Sequence, residues 1–226
     1  MRKILLHPAG VICTATILVI FGGLRFFAFE YDGAWLASPF STVFTVAKAL
    51  IFLLVVPLFL LRLLKEDASG FGFRFPESGH AREMTIALLV VLLAALGASF
   101  VPALREFYAD PGATLPVFIA SAGALSLLYY AAEEFLFRGF LFWGLFRRIG
   151  MHSFWVTNLL FALFHAGKPV AEIPIAFFLG LLFSYVAWRT KSFLPAAVLH
   201  FTLAIILNIL VAFVWSAPSP SASFHF

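Results

Sequence analysis

Seven apolar segments, near residues 9–29, 41–64, 84–103, 114–146, 153–167, 172–189 and 193–215, divide the chain, each near or above membrane-crossing length or only slightly short of it. No backbone within such a segment can be left unsatisfied in lipid, so each is expected to be a helix. Of 226 residues, 63% are hydrophobic and 12% are charged. A soluble domain carries about 25% charged residues. No sustained alternation of apolar and polar residues suggests a barrel strand. The sequence therefore predicts an all-α, polytopic transmembrane bundle of about seven to eight helices. The fourth segment is too long for one straight crossing and must tilt, kink or extend past the bilayer. The fifth is short, as expected of a helix that ends inside the protein.

The expected organisation is a set of N-terminal transmembrane helices over 1–110, a helical core over 111–215 and a Pro/Ser-rich disordered tail over 216–226. Met1-Arg2-Lys3 ahead of an apolar run resembles a signal peptide, but no small-x-small cleavage site follows, so the run is expected to remain as the first helix. No internal repeat of the kind found in many transporters is evident. The single cysteine, Cys13, excludes an intrachain disulfide. The net charge of +4 lies in loops and does not describe a nucleic-acid surface.

Loop charges predict orientation. Arg2, Lys3, Arg62, Lys65, Arg74, Arg82, Arg147, Arg148, Arg189 and Lys191 fall on one side, against Arg105 and Lys168 on the other. Cytoplasmic loops are the Lys/Arg-rich ones. The expectation is a cytoplasmic N-terminus in a bacterial inner (plasma) membrane.

Inside the apolar sequence stand groups that lipid does not tolerate. Ala131-Ala132-Glu133-Glu134-Phe135-Leu136-Phe137-Arg138 places three charges at bilayer depth. Each costs at least about 2.5–3.5 kcal/mol at the centre of a membrane helix. His165 and His200 lie in two other apolar segments. Measured from the cytoplasmic ends of their helices at about 1.5 Å per residue, Glu133 sits roughly 21 Å deep, His165 roughly 18 Å and His200 roughly 14 Å. Three helices far apart in sequence thus put ionisable groups at one level, which points to a shared polar cavity.

Glu134 and Arg138 are four apart and share a helix face, so they can pair. Glu133 is turned about 100° away and is left to take a proton from water. Phe161 stands four residues before His165 and can pack against its ring. The small residues before His200, Pro195-Ala196-Ala197, permit close helix approach. Burial and a neighbouring arginine pull a carboxylate's pKa in opposite directions, which is how a general base is tuned.

The set Glu133-Glu134-x-x-x-Arg138, Phe161-x-x-x-His165 and His200 on a later helix resembles the motifs of the CPBP family, the CAAX proteases and bacteriocin-processing enzymes also called Abi. The resemblance covers about residues 115–210 and implies a glutamic-type intramembrane endopeptidase. By that resemblance Glu133 and His165 activate water and His200 helps stabilise the oxyanion, with the Glu134–Arg138 ion pair as structural support. The implied partners are the lipid bilayer and a peptide or membrane-protein substrate, with no nucleic acid. Prenylated CAAX proteins, bacteriocin leader peptides and C-terminal sorting signals are the substrates the family suggests.

One position departs from the family pattern. Asn or Asp usually follows the last histidine by four residues, where this chain has Ala204. Asn208 and Asn158 are the candidates to replace it. No cofactor is expected. The mechanistic alternative is a zinc ion on Glu133, His165 and His200, although no His-Glu-x-x-His motif is present. The alternatives of a different class are an inactive membrane scaffold or immunity protein, for which Ala204 speaks, and a proton-coupled transporter, for which buried Glu, Arg and His speak.

Overall fold

The computed structural model describes residues 8–26, 39–109 and 123–215. The expected tail over 216–226, the loop at Asp110 and the start of the fourth apolar segment lie outside the described residues.

Each apolar segment is helical over most of its described residues. Helix α1 runs Pro8–Phe26. Helix α2, Pro39–Ala49, continues through a π-helical stretch, Leu50–Val55, into α3, Val56–Leu63. After a loop come α4, Ala81–Ser99, and the short α5, Pro102–Tyr108. Helix α6, Ala124–Glu134, passes into a second π-helical stretch, Phe135–Leu141, and then α7, Phe142–Ile149. Helices α8, His152–Phe164, α9, Glu172–Thr190, and α10, Leu194–Ile209, follow, the last extended by Leu210–Val214. No strand forms among the described residues. The fold is an all-helical membrane bundle.

Four helical stretches, Val43–Leu63, Ala81–Ser99, Glu172–Thr190 and Leu194–Val214, are long and apolar enough to cross a bilayer. Gly10–Val19 and His152–Phe164 are apolar but shorter. The segment holding α6 is interrupted by its own charges. Its π-helical stretch begins right after Glu134. Single-turn π-helical insertions are concentrated at functional sites.

Large apolar side chains face outward on the crossing helices, as lipid requires: Phe44, Ile51, Val55 and Phe59 on one, Leu89, Leu93 and Leu96 on α4. Small residues face inward. Ala87, Val91, Ala95 and Ala98 recur about every helical turn along α4 and are buried. They bring α4 against α10 at Ala196, Leu199 and Leu207. Without a hydrophobic drive between helices in lipid, such close backbone approach supplies the packing energy. Gly144 does the same for α1, because a Cβ there would meet the Ile12 side chain at 2.7 Å.

The loop after α3 is fastened to the ends of α7, α9 and α10. Arg147 pairs with Glu66 at 2.7 Å and donates to the Gly70 carbonyl at 3.1 Å. Glu77 N–H donates to the Thr190 carbonyl at 2.9 Å, and Ser192 Oγ donates to the Arg74 carbonyl at 2.6 Å. Gly72 takes φ +77°, a conformation that favours glycine, where the loop turns toward Phe193. The arrangement leaves α6, α8, α9 and α10 around a buried polar centre.

Candidate active site

The last turn of α6 and the π-helical stretch after it carry Glu133, Glu134 and Arg138 into the middle of the bundle. Glu134 and Arg138 are fully buried, and Glu133 is 2% exposed. The expected Glu134–Arg138 pair is present, with Arg138 Nη1 3.1 Å from Glu134 Oε2 and 3.2 Å from Oε1. Arg138 also donates through Nη2 to Asn158 Oδ1 at 3.1 Å and to the Gly180 carbonyl at 3.2 Å. Its guanidinium lies over the Phe161 ring, 3.9 Å from the centroid. One arginine thus ties α6 to α8 and α9. A buried charge persists only when paired and hydrogen-bonded in this way.

Asn158 is spent in this network. Its Nδ2 donates to the Phe154 carbonyl at 2.7 Å and to Ser184 Oγ at 3.1 Å, while its Oδ1 accepts from Arg138. Asn208 lies two turns beyond His200, and its Nδ2 donates back to the Ala204 carbonyl at 2.8 Å.

His165 caps the C-terminal end of α8, one residue past Phe164, so the short helix does end inside the protein. Its Nδ1 lies 2.8 Å from the Phe161 carbonyl. A carbonyl only accepts, so Nδ1 carries the proton and a neutral ring keeps its lone pair on Nε2. The Phe161 ring packs edge-on to His165 at 4.7 Å between centroids and to His200 at 5.8 Å. The phenylalanine of the second motif therefore touches Arg138 and both imidazoles.

His200 comes from α10. Its Nδ1 lies 2.8 Å from Glu134 Oε1, a contact that helix spacing cannot foretell. Glu134 consequently bridges Arg138 and His200, and it orients the second imidazole as well as neutralising the arginine. Tyr130 and Phe183 flank the His200 ring at 4.4 Å and 5.4 Å.

Glu133, His165 and His200 each bring one ligand atom to a common centre, all within 4.8 Å of one another. Glu133 Oε1 is buried with no hydrogen-bond partner in the protein. Such an atom is costly unless water, a proton or a cation meets it.

Beside this cluster, His200 lines a cavity of about 50 Å³ together with Tyr108, Tyr130, Lys168, Glu172 and Asn208. A water needs about 10–15 Å³ of such space. Lys168 pairs with Glu172 at 2.7 Å, and Tyr108 donates to the same carboxylate at 2.9 Å. His165 Nε2 is 3.9 Å from Glu172 Oε1, beyond hydrogen-bond reach. Sequence reading placed Lys168 among outer loop charges and passed over Tyr108, Tyr130 and Glu172. The one available signal for Tyr130 was its position three and four residues before the two glutamates, on their side of the helix.

Glu133, His165 and His200 thus put a carboxylate and two imidazoles at one buried point of a membrane bundle. The family model "Type II CAAX prenyl endopeptidase Rce1-like" matches residues 115–206, the stretch that carries all of these groups. Over that stretch the chain is similar to the CAAX-type membrane proteases of the CPBP family. No curated protein and no solved structure matches it.

Proposed function

We propose that this protein hydrolyses a peptide bond in a membrane-associated or exported protein, using a water activated by Glu133. The observation that carries this reading is the convergence of Glu133, His165 and His200 within 4.8 Å, with Glu133 Oε1 unpartnered.

The chemistry follows from the donor and acceptor inventory. A water at the common centre donates one hydrogen bond to Glu133 and one to the lone pair on His165 Nε2. Its own lone pair is then directed at a substrate carbonyl. As the new O–C bond forms, Glu133 takes the proton and the carbonyl π electrons move onto oxygen. His200 in its imidazolium form donates Nδ1–H to Glu134 and Nε2–H to that oxyanion. With Glu133 protonated, the Glu134 carboxylate and the oxyanion are balanced by one guanidinium and one imidazolium. On collapse the C–N bond breaks, the carbonyl re-forms, and the proton passes by way of His165 to the amine nitrogen. A general base and an oxyanion donor each contribute on the order of a hundredfold or more.

The family-model match supports a peptide substrate in a membrane setting. The substrate classes we favour are leader peptides or C-terminal processing signals of exported proteins, in a bacterial inner membrane with a cytoplasmic N-terminus. The same three ligand atoms also fit an open zinc site. Zinc held by Glu133, His165 and His200 would lower the pKa of a bound water and polarise the carbonyl.

Terminal proteomics of membranes containing wild type or Glu133→Gln tests the function. Cleaved termini are expected with wild type alone, at equal protein levels. A scaffold or transporter would show no Glu133-dependent termini. Cleavage that survives stringent chelation and metal-free purification supports the glutamate mechanism. Loss on chelation with return on added zinc would replace it by the metal mechanism.

A further inference from the structure

Four residues after His200, where the CPBP pattern has Asn or Asp, this chain has Ala204, whose side chain offers no donor. The structure brings another donor to the same place. Tyr130, Ala204, Asn208 and His200 line one cavity. Tyr130 lies against His200, with ring centroids 4.4 Å apart and planes at 44°. It reaches the cavity from α6, one turn before Glu133, while Ala204 reaches it from α10, one turn after His200.

The other donors around the cavity are engaged. Lys168 Nζ binds Glu172 and, at 3.2 Å, the Tyr108 oxygen. Tyr108 O–H donates to Glu172. Asn208 Nδ2 donates to the carbonyl of Ala204 itself, which ties that amide to its own helix. Asn158, the other candidate from sequence, serves Arg138, Phe154 and Ser184. Tyr130 meets its neighbours through ring contacts with Tyr129 and His200.

We infer that Tyr130 is a further catalytic residue, whose O–H takes the place of the missing donor at position 204 and shares the oxyanion with His200. This rests on the proposed hydrolytic reading of the site. As the carbonyl oxygen gains charge it turns toward His200, and a phenol on the same cavity wall can donate one strong hydrogen bond to it without giving up its proton. Tyr suits the task because its hydroxyl stands far from its backbone and its ring is held by tilted and edge-on contacts with His200 and Tyr129. Ala204 is then what leaves room for the phenol.

The experiment follows cleaved termini over time in membranes holding equal amounts of wild type, Glu133→Gln, Tyr130→Phe and the double variant Tyr130→Phe/Ala204→Asn. Thermal unfolding of each purified protein runs in parallel. The expected result is a Tyr130→Phe rate about 100-fold below wild type at an unchanged melting temperature, the scale of one lost oxyanion donor. Restoring the family residue in the double variant should recover at least tenfold. A Tyr130→Phe rate within threefold of wild type overturns the inference while leaving the Glu133 mechanism standing. So does a slow Tyr130→Phe enzyme that Ala204→Asn does not speed, or one whose loss is matched by a lower melting temperature. If no terminus depends on Glu133, the hydrolytic reading itself fails and Tyr130 loses its role with it.

Discussion

Glu134 Oε1 lies 2.8 Å from His200 Nδ1 while the same carboxylate holds Arg138 at 3.1 Å, so one buried group joins the first and third motifs across 66 residues of sequence. The pairing with Arg138 makes Glu134 structural. The contact with His200 makes it a positioning residue for the imidazole that faces the site.

Glu134→Gln should therefore do two things at once. It strands the Arg138 charge, and breaking a buried pair typically costs about 3–5 kcal/mol. It also frees the His200 ring, so residual protein should turn over slowly even where it is folded. Thermal unfolding and initial rates per folded molecule separate the two losses. A variant that is less stable but fully active per folded molecule would confine Glu134 to the structural role.

The Arg138 network gives a prediction away from the reacting groups. A Cβ on Gly180 would run into Asn158 Oδ1 and would stand 2.9 Å from Arg138 Nη2. Overpacking of this kind costs about 1–3 kcal/mol. Gly180→Ala should lower the melting temperature, and Arg138→Lys should too, because an ammonium cannot reach Glu134, Asn158 and the Gly180 carbonyl together. Glu133→Gln should leave stability close to wild type, since Glu133 Oε1 has no protein partner to lose. Equal destabilisation by Glu133→Gln would show that the two glutamates share the structural load.

Much of this was legible before any coordinates. Apolar segment boundaries fall close to the helix ends, because lipid demands long uninterrupted runs. The Glu134–Arg138 pair follows from i,i+4 spacing, and the common level of Glu133, His165 and His200 follows from rise per residue. Spacing describes neighbours on one helix only. It could not show that His200 leans on Glu134, that Asn158 is consumed by Arg138, or that Tyr108 closes on Lys168 and Glu172 from 60 or more residues away. Those relations are set by helix packing, which Gly180 and the small residues of α4 control without carrying any chemistry.

Orientation is testable with thiol chemistry. With Cys13 replaced by Ala, Ser78→Cys in the exposed loop after α3 should resist a membrane-impermeant maleimide on intact cells, and Asp110→Cys should label. The expectation rests on the Lys/Arg bias of the loops. Reversed labelling would turn the bundle over and put the cavity edge at Lys168 on the cytoplasmic side.

The last prediction concerns the unit formed by Glu133 and His165. Both hold the same water in the proposed mechanism, one as proton acceptor and one as lone-pair partner through Nε2, whose orientation is set by the Phe161 carbonyl at 2.8 Å. Residues that act on one proton as a unit are strongly non-additive. Glu133→Gln and His165→Ala should each remove most cleavage, and the double variant should be little worse than either. His200→Ala should lower turnover with substrate binding retained, since an oxyanion donor acts mainly in the transition state. Single-turnover rates on cleaved termini, with binding measured separately by crosslinking of the same substrates, supply both readouts. Losses from Glu133→Gln and His165→Ala that simply multiply in the double variant would mean that the two side chains serve different steps, and the shared-water arrangement would have to be abandoned.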